Sequence, residues 1–262
     1  MEVNTKVNLS GLILDNPVIP ASGTFGFGKE YVDFYDINIL GSISIKGTTV
    51  QRRKGNPQPR IAECYSGLIN SVGLENPGMD NVIQKELKDL EKIYRKPVIA
   101  NISGFSVEEY VTLAREMDKV DNVGIIEVNI SCPNVDHGGL AFGTNADNVR
   151  ELTKKIKEVT TKPIYMKLSP NVTDIKEIAR AAEEGGADGI SLINTLMGMR
   201  IDINRRKPVI ANKKGGFSGP AIFPVALRMV YEVYEATNLP IIGIGGISSA
   251  EDVIEMMMAG AT

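Results

Sequence analysis

"PIYMKLSPNVTDIKEIARAAEEGGADGISLINT", residues 163–195, is the stretch that decides the fold. It begins on a short continuous apolar run (163–169), crosses an amphipathic segment (172–186) and ends on a second apolar run (189–195). Continuous apolar runs of this length suit strands buried on both faces, and an amphipathic segment between two of them suits a helix covering a parallel sheet. The alternation recurs outward from there. Apolar runs stand at 17–22 (PVIPAS), 42–47 (SISIKG), 97–102 (PVIANI), 124–131 (GIIEVNIS) and 240–246 (PIIGIGG). Helical stretches lie at 80–94, 106–120, 144–159, 221–237 and 249–260. Ser106 with Glu109 three residues on, and Ser249 with Asp252, read as helix starts. The pattern predicts an α/β chain, a (β/α)8 TIM barrel, with residues 1–262 forming a single domain.

The seventh strand-like run is followed by one more helix and then "MAGAT" (258–262), where the sequence stops. An eighth strand belongs after it, because a barrel with two open edges is costly. The expectation is therefore a barrel truncated before or within its eighth strand. Val3 to Leu14 alternates weakly and predicts a hairpin. Residues 48–78 are too long and turn-rich for a plain connection and predict a functional insertion above the C-terminal ends of the strands.

Composition narrows the function classes. Hydrophobic content is 43%, charged content 23% and net charge −3, which argues against nucleic acid or anionic lipid as partners. No apolar run approaches the ~18 residues of a membrane span, and "MEVNTKVNLSG" lacks a signal peptide's apolar core. A cytoplasmic protein is expected, without membrane or metal. The two cysteines, Cys64 and Cys132, lie outside any CxxC, so the chain cannot ligate an iron–sulfur cluster alone. Cys64 reads as a small packed residue, and His137, the one histidine, as an exposed loop residue. The "RRK" runs at 52–54 and 205–207 read as solvated charge.

Ligands of such barrels bind where strands end. The strand ends here carry Ser22, Lys46, Asn101, Asn129 with Cys132, Lys167, Asn194 with Thr195, and Gly245 with Gly246. Lysines that close apolar strands are costly unless they face an anion or a charged cofactor. "GIGGISSAEDV" (243–253) brings small residues and backbone N–H groups to a helix entry, which suits a phosphate. In "VNISCPNVDHGGLAFG" (128–143) two asparagines flank Cys132. That thiol is either a packed small hydrophobe or a reactive group beside a ligand.

"NPVIPASGTFGFG" (16–28), "KGTT" (46–49), "GNPQPR" (55–60), "NSVGLENPG" (70–78), "NISCPN" (129–134) and "INT" (193–195), in that order, resemble the dihydroorotate dehydrogenases. "ASGTFG" and "GGLAFGT" are similar to the catalytic subunit of the NAD-linked class 1B. The resemblance implies FMN over the strand ends, held by Ser22, Lys46, Gly47, Asn101, Asn129, Lys167, Ile193, Gly219, Gly245 and Gly246. It implies a dihydroorotate site, also accepting the product orotate, made by Lys46, Asn70, Ser71, Val72, Gly73, Leu74, Asn129, Asn134, Asn194 and Thr195. Cys132 would act as the base that takes the C5 proton while C6 passes hydride to FMN. Lys167 would face the flavin N1/O2 edge, and residues 134–143 would form a lid.

The family's reaction is the oxidation of (S)-dihydroorotate to orotate in de novo pyrimidine (UMP) biosynthesis. By resemblance, electrons leave for NAD through a second subunit carrying FAD and a [2Fe–2S] cluster, in a heterotetramer built on a catalytic homodimer. The family continues past "AGAT" into a last strand and closing helices, which 1–262 lacks. Competing readings are a fumarate-linked class 1A enzyme, another dihydropyrimidine dehydrogenase, a Schiff-base aldolase barrel using Lys46 or Lys167, and a non-catalytic fragment.

Overall fold

In the computed structural model, which describes residues 3–130 and 142–262, the chain opens on an antiparallel hairpin of β1 (Val7–Leu9) and β2 (Leu12–Leu14). Ser10 and Gly11 join them at φ 50° and 93°, the two-residue turn whose twist matches that of its strands. Cys132, Asn134, His137 and most of the expected lid lie outside the described residues.

The insertion at 48–78 folds into β3 (Ile61–Cys64) and β4 (Gly67–Asn70). The barrel strands follow: β5 (Val98–Ile102), β6 (Val123–Asn129), β7 (Ile164–Lys167) and β8 (Gly189–Leu192). Beyond β8 the chain makes β9 (Leu196–Met199), β10 (Ile201–Asp202), β11 (Lys207–Pro208) and β12 (Lys214–Ser218), and it returns to the barrel at β13 (Ile241–Gly243). The helices between barrel strands include α1 (Val107–Asp118), α2 (Ala146–Lys157), α3 (Ile175–Glu184), α4 (Phe223–Tyr234) and α5 (Ala250–Met258).

The parallel sheet has the order β13-β8-β7-β6-β5. It continues through 42–48, where Ser44 pairs with Ile99 and Thr48 with Ile102. Residues 17–22, expected as the first strand, form no ladder. Pro17 and Pro20 have no N–H to donate, and only Val18 joins its neighbour, accepting from the Gly41 amide at 2.9 Å. At the other edge of β13, Thr262 N donates to Ile241 O (2.8 Å) and Ile241 N to Thr262 Oγ1 (3.2 Å), at the place expected for an eighth strand. The helical stretch at 80–94 contains a π turn, Val82–Glu86, in which Leu87 N donates to Val82 O. The wider turn sets Val82 and Leu87, five residues apart and both buried, on one face.

Alternation along β6 sorts its side chains. Ile126 and Val128 join the large core between sheet and helices, with Leu113 and Met117 of α1 and Leu152 and Ile156 of α2. Ile125 points the other way and packs with Leu9, Leu14, Ile99 and Tyr165. The hairpin thus plugs the barrel at the N-terminal ends of its strands. Ser10 Oγ fastens it, donating to Asp188 O (2.7 Å) beside Tyr165 OH (3.0 Å).

A second sheet stands at the opposite end, antiparallel, in the order β3-β4-β12-β9. The predicted insertion therefore pairs with residues from after β8, a strand pair that sequence reading did not foresee.

Candidate active site

Each strand end delivers its residue by the same alternation. Following Ile125 on the inward face of β6 come Glu127 and then Asn129. Asn101 on β5 and Lys167 on β7 share that face, and all four are buried. Tyr110 OH, from α1, donates to Asn129 O at 2.8 Å and ties the end of β6 to its covering helix. Asn194 Nδ2 donates to Asn129 Oδ1 (3.2 Å), linking the ends of β6 and β8. Beneath them Glu127 Oε2 accepts from Asn101 Nδ2 and from Ser44 Oγ (3.3 Å) and faces Lys167 Nζ at 3.5 Å. Lys167 also donates to Ser22 Oγ at 3.4 Å.

Above this layer, and running beside β13 as far as Val7 and Leu9 of the hairpin, lies a cavity of about 800 Å³. Every residue expected to hold the cofactor lines it: Ser22, Lys46, Gly47, Asn101, Asn129, Lys167, Ile193, Gly219, Gly245 and Gly246. Asn70, Val72, Gly73, Leu74, Asn194 and Thr195 line it too. Ser71 does not. Its neighbours Asn70 and Val72 face the cavity, so in extended chain Ser71 turns away and is wholly buried, its amide donating to Arg60 O at 2.7 Å.

The walls fit a flavin mononucleotide. At one end Gly219, Gly245 and Gly246 have φ of 114°, 129° and 73°, and a Cβ on Gly246 would lie 2.7 Å from Phe223 N. Only glycine lets the backbone pass there, as a close approach to phosphate requires. The expected run of bare amides is shorter than predicted, because Ser248 N and Ser249 N donate to Asp252 Oδ2 (2.7 and 3.0 Å) in the capping box of α5. At the other end Asn101 Oδ1 is buried without a hydrogen-bond partner among the described residues. A Cβ on Gly47 would come within 2.8 Å of that Asn101 oxygen. Burial pushes the Lys46 ammonium below the usual lysine range, nearby Glu75 raises it and Arg60 lowers it further.

The segments expected to hold the substrate stand on the antiparallel sheet. Gly216 of β12 pairs with Asn70 of β4 and with Met197 of β9, and a Cβ at Gly216 would overlap the Thr195 hydroxyl. Asn76 holds the turn at 70–78: Oδ1 accepts from Gly78 N (2.9 Å), and Nδ2 donates to Leu74 O and Thr49 Oγ1 (both 2.8 Å). Sequence reading missed Asn76 as this staple, although "NSVGLENPG" contained it. It also missed Glu127, whose signal was an acid inside the apolar run "GIIEVNIS". A buried acid must have partners.

The model of the family described as dihydroorotate dehydrogenase matches residues 4–262. A Bacillus cereus protein named dihydroorotate dehydrogenase B (NAD(+)), catalytic subunit, is 58% identical over 257 residues, 98% of this chain and 83% of its own length. Proteins of the same name from Bacillus cytotoxicus (58% over 257 residues, 98% and 83%) and Halalkalibacterium halodurans (57% over 255 residues, 97% and 83%) are similar to the same degree. With its strand ends, glycine cradle and insertion in the family's order, the chain belongs to the dihydroorotate dehydrogenase family.

Proposed function

We propose that the chain is the FMN-bearing catalytic subunit of an NAD-linked dihydroorotate dehydrogenase, oxidising (S)-dihydroorotate to orotate in pyrimidine biosynthesis. One observation carries the reading: a single cavity gathers the lysine and asparagine strand ends, the Gly245–Gly246 cradle and the 70–74 and 194–195 segments. Bound FMN supplies a hydride acceptor. Lys46 offers a cation to the substrate carboxylate, and Asn70, Asn129, Asn194 and Thr195, with Asn134, offer amides and a hydroxyl to the pyrimidine's polar edge. Cys132, as thiolate, takes the C5 proton. A thiol's ordinary pKa of about 8.5 makes that step stronger toward alkaline pH. The family match sets aside the aldolase reading, and the relatives' shared name favours NAD over fumarate as final acceptor.

Residues 1–262 work, in this reading, as one FMN-binding unit. The printed name "catalytic subunit" supports a second, electron-transferring subunit, for which FAD and [2Fe–2S] are the fitting carriers. A homodimer within a heterotetramer is supported by the apolar side chains that β9 and the residues after it leave exposed, Met197, Met199, Ile201 and Ile203. No helix among the described residues is long and apolar enough to cross a membrane. A reduced catalytic thiol suits the cytoplasm.

The test is an absorbance spectrum of the purified protein followed by anaerobic addition of dihydroorotate. Yellow protein that bleaches is the expected result. Yellow protein that stays yellow would overturn the substrate, and colourless protein that takes up no added FMN would overturn catalysis by this chain.

A further inference from the structure

Glu127 is a carboxylate 1% exposed, on the inward face of β6, one layer below the cavity floor. Nothing assigned so far to the reaction uses it. Its Oε2 gathers Asn101 Nδ2, Ser44 Oγ and Lys167 Nζ, three groups from three different strands of the barrel. Two of the three, Asn101 and Lys167, line the cavity.

Two consequences follow from chemistry alone. An ionised carboxylate only accepts, so the amide facing it must present its NH2. The Asn101 amide is thereby oriented with Oδ1 away from Glu127, and that oxygen is the buried acceptor without a partner among the described residues. That oxygen lies against Gly47 of the cavity wall, where an added Cβ would come within 2.8 Å of it. Second, Lys167 is 5% exposed and its contacts are long, 3.4 Å to Ser22 Oγ and 3.5 Å to Glu127. A buried ammonium so loosely held keeps hydrogen-bonding capacity for the cavity, while the carboxylate below offsets part of its charge.

We propose that Glu127 is a positioning residue for the flavin: it orients Asn101 and Lys167 toward the ring, and its negative charge holds the reduction potential below what Lys167 alone would set. Reduction adds negative charge to the ring, a nearby cation favours the reduced form, and a carboxylate behind that cation weakens the preference. The inference rests on FMN occupying this cavity, as in the reading above.

The experiment measures the midpoint potential and the dissociation constant of FMN in wild type, Glu127→Gln, Glu127→Asp and Glu127→Gln/Lys167→Gln. The isosteric glutamine variant is expected to bind FMN at least tenfold more weakly and to shift the potential positive, whereas aspartate, which keeps the charge, stays near wild type. The double variant is expected to reverse the sign of the potential shift, because the cation is gone as well. Glu127→Gln that holds FMN at an unchanged potential overturns the proposal. If that variant does not fold, recovery of folded, flavin-binding protein in the double variant supports the pairing, and failure of both overturns it by making Glu127 a residue of the fold alone. Dihydroorotate bleaching of the wild type is read separately. Its failure would remove the substrate and leave the Glu127 test standing.

Discussion

In the proposed reaction, two side chains carry the pH dependence of turnover. Cys132→Ser replaces a thiol of ordinary pKa about 8.5 by a hydroxyl that ionises far less readily. Anaerobic flavin reduction at neutral pH is expected to slow by roughly 10²–10⁴-fold, the usual scale of a lost general base, with partial recovery as pH rises. A serine variant at full rate would take Cys132 out of the reaction. Lys46 works in the opposite sense. Its ammonium is held below the usual lysine range chiefly by burial, so it gives up its proton at a lower pH than a solvated lysine. The KM for dihydroorotate should therefore climb on the alkaline side earlier than an ordinary lysine would allow. Lys46→Arg, charged throughout, should flatten that limb even if it raises KM at every pH. At this scale the strand-end lysines were readable because a charge that closes an apolar run has to be explained. Glu127 was not, since its meaning lies in partners on 42–48, β5 and β7 that no local window contains.

Around β13 and α5 the turn chemistry divides into a part that serves the fold and a part that serves the ligand. Ser249 caps α5, accepting from Asp252 N at 3.1 Å, while the Asp252 carboxylate returns to Ser248 and Ser249. Ser249→Ala should cost about 1 kcal/mol in urea unfolding and leave FMN affinity nearly unchanged. Gly246→Ala should do the reverse. Its positive φ and its approach to Phe223 N strain the cradle by about 1–3 kcal/mol, read as weaker FMN binding in a titration. The capping box was legible from spacing alone. That it would consume two of the amides offered to phosphate was not, because Ser-x-x-Asp reads identically whether the carboxylate reaches one N–H or two. The failed strand at 17–22 is the complementary case: its hydrophobicity was right, and two prolines withheld the donors a ladder needs.

The molecule as a whole separates stability from chemistry along the barrel axis. Leu9 and Leu14 of the hairpin are buried against Ile99, Ile125 and Tyr165, at the end away from the cavity's lysines and asparagines. Leu14→Ala should remove about 2–5 kcal/mol from unfolding in urea. The turnover of the molecules that remain folded should be unaltered, which a rate measured per bound flavin would check. From 42–48 to β13 the barrel rhythm was legible because each βα unit closes locally. The antiparallel sheet was not, since β4 finds β12 from the far side of four barrel strands, β5 to β8, and pairing across that distance leaves no periodic trace. That sheet has a consequence of its own. In the proposed site most of the flavin's walls belong to the barrel, Gly219 at the end of β12 excepted, whereas Asn70 and Thr195, proposed for the substrate, hang from an annex stitched together by β12. In that reading segments 48–78 and 194–218 can change together across Gly216, while Lys46 and Asn129, which face both ligands, stay on the frame. The architecture makes a change of substrate a change of upholstery on a fixed frame.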